Sequence, residues 1–177
     1  HVGQDKTCVY YDGQPRELKD YRLLTPSNIN DDYYTYGQSV YNFELLKMPS
    51  GTDLKHLQSL DYTDWSKDLH HVYWKNKVVK GADPATFKPM PSLLLTVDSS
   101  DDNNKDGDYG RDATHIYYRE VMLKDADYNS FTCGWDAQEQ IPFAFDKHRY
   151  YEGHPTPLIR RIRSLTPAPS SNGEGSR

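Results

Sequence analysis

A segment that occurs twice without an internal gap is the feature that most constrains this chain. Residues 65–87 align with residues 109–131 at a constant shift of 44 (112 − 68), which places Asp68 on Asp112 and Phe87 on Phe131. Repeats of this length are typical of arrays in which each unit buries its apolar face against its neighbours. The sequence therefore predicts a chain built from copies of one small unit.

Three weaker copies extend the repeat over most of the chain. One begins at Asp5, and one has Tyr36 at the aspartate position. The last begins at Asp146, and its pair Tyr150-Tyr151 follows the aspartate one residue sooner than Tyr73-Trp74 follows Asp68. The anchor positions are thus 5, 36, 68, 112 and 146. We predict a single domain over residues 1–166 that contains about five β-hairpin repeats, followed by a flexible tail at 167–177 with the composition of a linker.

Each unit has the residues of a β-hairpin followed by a short helical turn. The aspartate accepts hydrogen bonds from backbone N–H groups and starts a turn, and the run at 116–118, Ile-Tyr-Tyr, favours a strand. Asp83-Pro84 places a good N-cap before a proline tolerated in the first helical turn. The predicted fold class is mainly β, with antiparallel hairpin or meander repeats and short helical turns. Alternation along each strand is expected to bury one side of the sheet.

Composition and charge exclude several classes of partner. The formal net charge of −5 argues against nucleic acid, which requires a basic footprint. No apolar stretch has the length of a membrane span. The first residue is His1, which predicts a trimmed start or a removed signal peptide and hence a periplasmic or extracellular location. In such a compartment Cys8 and Cys133 either form a disulfide or stay free, and the sequence leaves both states open.

The segments at 5–11, 68–74 with 81–87, and 112–118 resemble the DKNYY repeat family, a group of bacterial and often exported proteins. The resemblance covers most of residues 5–151 and is most specific over 65–87 and 109–131. It implies a repeat-built protein of the cell envelope. It implies no reaction and no shared catalytic residues.

An acidic insertion at residues 98–108, inside the longest repeat interval (68 to 112), suggests a calcium site. Its oxygen-bearing residues follow the first half of a calcium loop, with Gly107 at the turn, but Ala113 stands where a bidentate glutamate belongs. The candidate metal ligands are Asp102, Asn104, Asp106, Asp108 and Asp112. A solvated acidic loop is the simpler interpretation, and no other cofactor is predicted.

The same insertion, together with several aromatic residues, supplies candidate partner-binding groups. An acidic loop on a rigid scaffold suits the basic cleft of another protein, and tyrosine clusters form protein hot spots or stack on sugars. The candidates are Asp101, Asp102, Asp106, Asp108, Tyr33, Tyr34, Tyr36 and Trp135. Tyrosines that alternate along a strand also line cores, so the core remains the alternative for each of them.

The sequence contains no motif of a known catalytic class. Gly-x-Ser-x-Gly, a P-loop and a cysteine pair at zinc spacing are all missing from it, and His71 and His115 recur with the unit as turn residues would. We therefore predict a non-enzymatic exported binding protein, most concretely a periplasmic inhibitor or immunity protein that binds a secreted bacterial toxin. The alternatives are a cell-surface glycan- or peptidoglycan-binding module, with or without calcium, and a structural spacer between envelope components.

Overall fold

The computed structural model describes residues 2–27, 32–60, 63–90, 93–94, 107–136, 141–151 and 159–160. The fold is mainly β, which confirms the predicted class, and its strands form five small sheets. Within the described residues the helical content is one 3-10 turn, Tyr21–Leu23. The other Asp-initiated segments are single turns, as where the Phe87 N–H donates to the Asp83 carbonyl at 2.9 Å. The predicted tail at 167–177 lies outside the described residues.

The sheets follow one another along the chain, and we name them A to E. Sheet A contains β1 (Val2–Gln4), β2 (Val9–Tyr11) and β3 (Gln14–Arg16). Sheet B contains β4 (Thr25–Pro26), β5 (Tyr33–Tyr36) and β6 (Ser39–Asn42). Sheet C contains β7 (Gln58–Ser59), β8 (Trp65–Lys67), β9 (Val72–Trp74) and β10 (Lys77–Val78).

Sheets D and E are interleaved in sequence by one short strand. Sheet D contains β11 (Lys88–Pro89), β13 (Tyr109–Arg111), β14 (Ile116–Tyr118) and β15 (Val121–Met122). Sheet E contains β12 (Leu93–Leu94), β16 (Thr132–Asp136), β17 (Ile141–Phe145), β18 (Tyr150–Tyr151) and β19 (Ile159–Arg160). The pairings are antiparallel, apart from β12, which runs parallel to β16.

The central hairpin of each sheet has one register, in which a tyrosine lies opposite a fixed position on the preceding strand. In four sheets that position holds a small residue; the pairs are Gly3–Tyr10, Ser66–Tyr73, Gly110–Tyr117 and Ala144–Tyr151. In sheet B the pair is Tyr34–Tyr41. A small residue beside a large ring leaves room for a side chain from another part of the chain.

Internal sheets are covered on both faces, contrary to the expectation that one side faces solvent. In sheet C, Tyr73 packs toward sheet B with Tyr33, whereas Val72 and Trp74 pack toward sheet D with Phe87. All three residues of β9 are consequently buried. Successive apolar residues in a strand are the pattern of a sheet with both faces buried.

The core is a series of junctions between consecutive sheets. Val9 of sheet A packs with Tyr41 of sheet B, and Ile116 of sheet D packs with Tyr151 of sheet E. Each cluster combines residues of two neighbouring sheets and their connection. Stability in such an arrangement is approximately a sum of nearest-neighbour terms.

Candidate functional site

The anchor aspartates are the most heavily hydrogen-bonded side chains among the recurring residues. Asp112 Oδ1 accepts from the N–H groups of Thr114 and His115, both at 2.8 Å. Its Oδ2 accepts from the Tyr117 hydroxyl at 2.8 Å and from the Asp83 N–H at 3.1 Å. One carboxylate thus closes the hairpin turn, holds the tyrosine and attaches the connection from the preceding sheet.

Sheets C and E repeat this geometry. Asp68 accepts from the N–H groups of His70 and His71, from the Tyr73 hydroxyl and from the Asp53 N–H. Asp146 accepts from the N–H groups of His148 and Arg149, from the Tyr151 hydroxyl and from the Asp127 N–H. Burial alone would raise the pKa of these carboxyls, but the hydrogen bonds outweigh it and lower the pKa, to about 2 for Asp112.

This geometry bears on the candidate calcium set. Asp102, Asn104 and Asp106 lie outside the described residues. Asp112 is buried, and its two oxygens already accept from protein donors, so it has little capacity left for a cation. No group of three or more metal-ligating residues occurs in the described part of the chain. The calcium site therefore stays a prediction that depends on the residues outside that part.

The C-terminal end of the acidic insertion is fixed to two sheets. The Trp65 indole N–H donates to the Gly107 carbonyl, and Asp108 forms an ion pair with Arg119 at 3.0 Å. Met90, before the insertion, donates its N–H to the Tyr109 carbonyl at 2.8 Å. The chain therefore leaves and re-enters sheet D at paired positions, and between them it adds the parallel strand β12 to sheet E.

Sheet C shows what the insertion replaces. There the equivalent hydrogen bond, from the Leu60 N–H to the Trp65 carbonyl at 2.9 Å, joins residues only five positions apart in the sequence. Asp64 and Lys75, 3.4 Å apart, hold the places of Asp108 and Arg119. This ion pair was not predicted from the sequence, although the shift of 44 places Asp64 on Asp108 and Lys75 on Arg119 (108 − 64 and 119 − 75). The ion pair belongs to the unit, and the insertion is a departure from it.

The candidate tyrosines divide between core and surface. Tyr33 is 3% exposed and packs in the junction between sheets B and C, which is the core alternative that the sequence left open for it. Tyr34 is half-buried against the junction between sheets A and B. Tyr36 is 47% exposed and keeps its accessible ring. Trp135 lies in β16 opposite Pro142, and its side chain is outside the described part.

The two cysteines are free thiols in the structure. Cys133 is buried in the junction between sheets D and E, where burial raises the pKa of its thiol to about 12. Cys8 is half-buried in the anchor turn of sheet A, with its Sγ 3.3 Å from the Val9 carbonyl oxygen. The disulfide that the sequence left open is therefore not formed in this structure.

His71 and His115 stand in separate anchor turns. His71 Nδ1 lies 3.8 Å from Asp68 Oδ1 and His115 Nδ1 lies 3.7 Å from Asp112 Oδ1, each within its own turn. Their rings are exposed at about half of their surface, at 47% and 45%. These two histidines occupy equivalent turns of successive sheets and do not form one site.

A small polar cavity lies between sheets B and C. Tyr33, Asp64, Ser66 and Lys75 contribute to its wall, and its volume of about 20 Å³ matches one water molecule. The Ser66 hydroxyl is the buried side-chain polar atom without a hydrogen-bond partner in the described part of the molecule. The cavity is suited to one bridging water and is too small for an organic substrate.

Comparison with protein-family models, with curated proteins and with solved structures gives no match for this chain. Within the described residues, no helix has the length and apolar character needed to cross a membrane.

Proposed function

We propose that the chain is a non-enzymatic, exported binding protein that binds and blocks a secreted bacterial toxin, as an inhibitor or immunity protein of the DKNYY repeat type. The supporting observation is the acidic insertion. It interrupts an otherwise repeated unit, and it returns to sheet D through Trp65 and the Asp108–Arg119 ion pair. In repeat proteins, insertions of this kind often lie on the binding face.

Charge complementarity defines the partner's surface. The insertion carries Asp101, Asp102 and Asp106 together with Lys105, and the whole chain has a net charge of −5. Acidic groups on a rigid scaffold accelerate association with a basic cleft and exclude acidic partners. A hydrolase that acts on an anionic polymer has such a cleft.

The experiment compares two variants with equal loss of charge. Asp101→Asn with Asp102→Asn removes two negative charges from the insertion, and Glu17→Gln with Asp125→Asn removes two elsewhere on the chain. Each protein is titrated against a panel of secreted hydrolases, with enzyme inhibition and calorimetry as readouts. We expect binding by the unmodified chain, a loss of about tenfold or more for the insertion variant only, and weakening by salt. Absence of inhibition at micromolar concentration, or equal losses in both variants, would contradict the proposal.

A second candidate, a glycan- or peptidoglycan-binding module, draws support from Tyr36. Its ring is 47% exposed beside the half-buried Tyr34, and exposed tyrosines stack on sugar rings. Retention on purified sacculi that Tyr36→Ala abolishes would favour this candidate. Retention that also disappears with a chelator would include calcium in it.

A further inference from the structure

The central hairpins of sheets C, D and E have two ends, and these ends form two different edges of the molecule. In sheet D the anchor turn at 112–115 joins β13 to β14 at one end, and Arg119 lies in the turn between β14 and β15 at the other. We call the first end of each sheet the anchor edge and the second the tip edge. The anchor edge consists of residues 53–57, 67–71, 80–88, 111–115, 124–131 and 146–149.

Contacts between neighbouring sheets make each edge continuous. At the anchor edge the Asp83 N–H, in the connection that leaves sheet C, donates to Asp112 Oδ2 of sheet D at 3.1 Å. At the tip edge Lys77 of sheet C forms an ion pair with Glu120 of sheet D. The equivalent contacts of the other junctions are Asp53 to Asp68, Asp127 to Asp146 and Lys75 to Glu44. Packed sheets lie about 10 Å apart, so equivalent turns recur along each edge at roughly this interval.

All the histidines of the described residues lie on the anchor edge, and all of them are exposed. They are His56, His70, His71, His115 and His148. The ionisable groups described at the tip edge are instead lysines or arginines paired with acids, as in Arg119 with Asp108. Imidazole is the side chain whose ordinary titration falls between pH 5 and pH 8. Acidification through this range therefore adds positive charge to one edge of the described molecule.

The fixed charges of the anchor edge are also more positive than those of the rest of the chain. Its residues include eight Lys or Arg and seven Asp, a net charge of +1 (8 − 7) with neutral histidines, although the whole chain has −5. Protonation of its five histidines brings this edge to +6 (1 + 5). Three of the seven aspartates, Asp68, Asp112 and Asp146, are buried and accept from protein donors, so they do not face a ligand.

The groups around the imidazoles belong to the turns of the same edge. His56 Nδ1 lies 2.6 Å from Asp53 Oδ2, and His71 and His115 lie 3.8 and 3.7 Å from the anchor carboxylates of their own turns. His70 and His148 donate their backbone N–H groups to anchor carboxylates. The charged groups on the facing connections are Lys55, Asp83, and Asp127 and Asp125, which pair with Lys147 and Arg149. Hydrogen bonds lower the pKa of the anchor carboxyls, so these turns stay closed at the pH where imidazoles become charged.

We propose that the anchor edge binds a linear polymer of phosphate groups when the pH falls below about 6. Phosphate oxygens accept charge-assisted hydrogen bonds from imidazolium, lysine and arginine, and a linear chain meets the equivalent turns of sheets C, D and E one after another. Leu69, 60% exposed, is the one large apolar side chain that this edge exposes, so the edge does not have the apolar anchors of a membrane-binding surface. The proposal goes beyond the proposed function, because the acidic insertion re-enters sheet D at the tip edge, through Asp108 and Arg119.

The test titrates the whole chain with two polymers, inorganic polyphosphate and poly(glycerol phosphate). The first is a phosphoanhydride chain and the second a phosphodiester chain, so binding of only one of them identifies the source of the phosphate groups. Calorimetry is carried out at about pH 5.5 and about pH 7.5 at constant ionic strength. We expect the affinity to be at least about tenfold greater at the lower pH and to fall as salt is added. Absence of binding, or an affinity independent of pH, would overturn the proposal.

Two double variants with the same loss of imidazoles locate the site. His71→Gln with His115→Gln removes two histidines from the anchor edge, and His1→Gln with His154→Gln removes the two that lie outside the described residues. Glutamine is polar and uncharged and both edge positions are exposed, so the fold is retained, which circular dichroism verifies. At the lower pH we expect a loss of at least about tenfold for the edge variant and of less than about twofold for the control. Equal losses in the two variants would contradict the assignment to the anchor edge.

Two further ligands separate a linear polymer from other sources of phosphate. Orthophosphate and vesicles that contain phosphatidylglycerol are compared with the polymers at the same concentration of phosphate groups. Equal affinity for orthophosphate would overturn binding across successive turns, and equal affinity for the vesicles would assign the edge to a membrane surface instead. The Asp101→Asn and Asp102→Asn variant is expected to bind the polymers at least as tightly as the unmodified chain. Weaker binding by this variant would place the polymer at the insertion and refute the anchor edge, whatever the outcome for the proposed function.

Discussion

Replacement of Asp112 by asparagine tests the central contact of the fold. Asparagine has nearly the same shape, but one of its two terminal atoms donates hydrogen bonds and no longer accepts them. Oδ1 of Asp112 faces two backbone N–H groups and the Thr114 hydroxyl, and Oδ2 faces one N–H and the Tyr117 hydroxyl, so either orientation of the amide opposes an N–H with an NH2 group. The change therefore removes an interaction without creating a cavity.

The expected change in the free energy of unfolding follows from the orientation of the asparagine amide that loses less hydrogen bonding. With its NH2 group at the place of Oδ2, the amide donates to the Tyr117 oxygen, because the hydroxyl can rotate and accept. The Asp83 N–H, whose hydrogen bond is part-buried, then has no acceptor, which costs about 1–3 kcal/mol. The two hydrogen bonds from the N–H groups of Thr114 and His115 then go to a neutral acceptor in place of a charged one, which costs roughly 0.5 kcal/mol each. We expect the free energy of unfolding to fall by about 2–4 kcal/mol.

The assay is urea denaturation followed by tryptophan fluorescence. Trp65 and Trp74 lie in the junction between sheets C and D, which the turn at residues 83–87 connects, and they report the opening of this junction. Asp5→Asn is the matched control, because it alters the equivalent turn where the carboxylate is exposed and accepts from its own turn and from Tyr10 among the described residues. We expect a clearly smaller loss for this control. Equal losses in the two variants would refute the role of the bond from the Asp83 N–H to Asp112.

Three further predictions concern pH, packing and thiol chemistry. The pKa of the buried anchor carboxyls lies below the ordinary value of 3.8, near 2 in sheet D, because hydrogen bonds outweigh burial. The contribution of these carboxylates to the free energy of unfolding is therefore complete above pH 4 and is lost as pH falls toward 2. A free energy of unfolding that does not change between pH 4 and pH 2 would contradict this prediction. Gly110→Val forces a side chain into the Phe87 ring and is expected to lower stability by about 1–3 kcal/mol, whereas Gly3→Val is expected to be nearly neutral in thermal denaturation. Native protein is expected to expose one reactive thiol, Cys8, while Cys133, with its pKa raised to about 12, reacts only after unfolding; a count of zero in denaturant would show a disulfide.

The class of fold was predictable because local chemistry and tertiary structure agree. Val/Ile-Tyr-Tyr/Trp runs favour strands, and an aspartate before them accepts from the next turn whether or not other sheets are present. The double coverage of the sheets was not predicted. Alternation implies one buried face only when the other face meets water, and β9 and β14, with three buried residues each, have neighbours on both sides.

The frame of the last unit shows a second limit of sequence reasoning. The sequence analysis aligned Tyr150-Tyr151 with Tyr73-Trp74, but the register places Tyr151 at the position of Tyr73. The tyrosine hydroxyl must reach its anchor carboxylate, and in each case it does so from five residues later in the chain. Aromatic similarity favoured the wrong frame because it ignores this geometric requirement.

The partner-binding residues were the least predictable. Tyr33 and Tyr36 have the same residue type and lie three positions apart in one strand, yet one is core and the other is surface. Their difference depends on sheet C, which approaches Tyr33 through a contact distant in sequence. The candidates at 101–106 and the Trp135 side chain lie outside the described part, so they stay predictions.

The replacement of the aspartate by Tyr36 in sheet B has a mechanical consequence. Sheets A and B are joined by the cluster of Val9 and Tyr41 and by the hydrogen bond from Arg16 Nε to the Glu44 carbonyl at 2.7 Å. They lack the carboxylate bridge that reinforces the following junctions, since Asp20 bonds its own Arg22 instead. We expect this junction between sheets A and B to separate first under tension applied to the two ends of the chain. Mechanical unfolding would then proceed in steps from the amino-terminal side, and sheets C to E would stay folded after sheet A has detached.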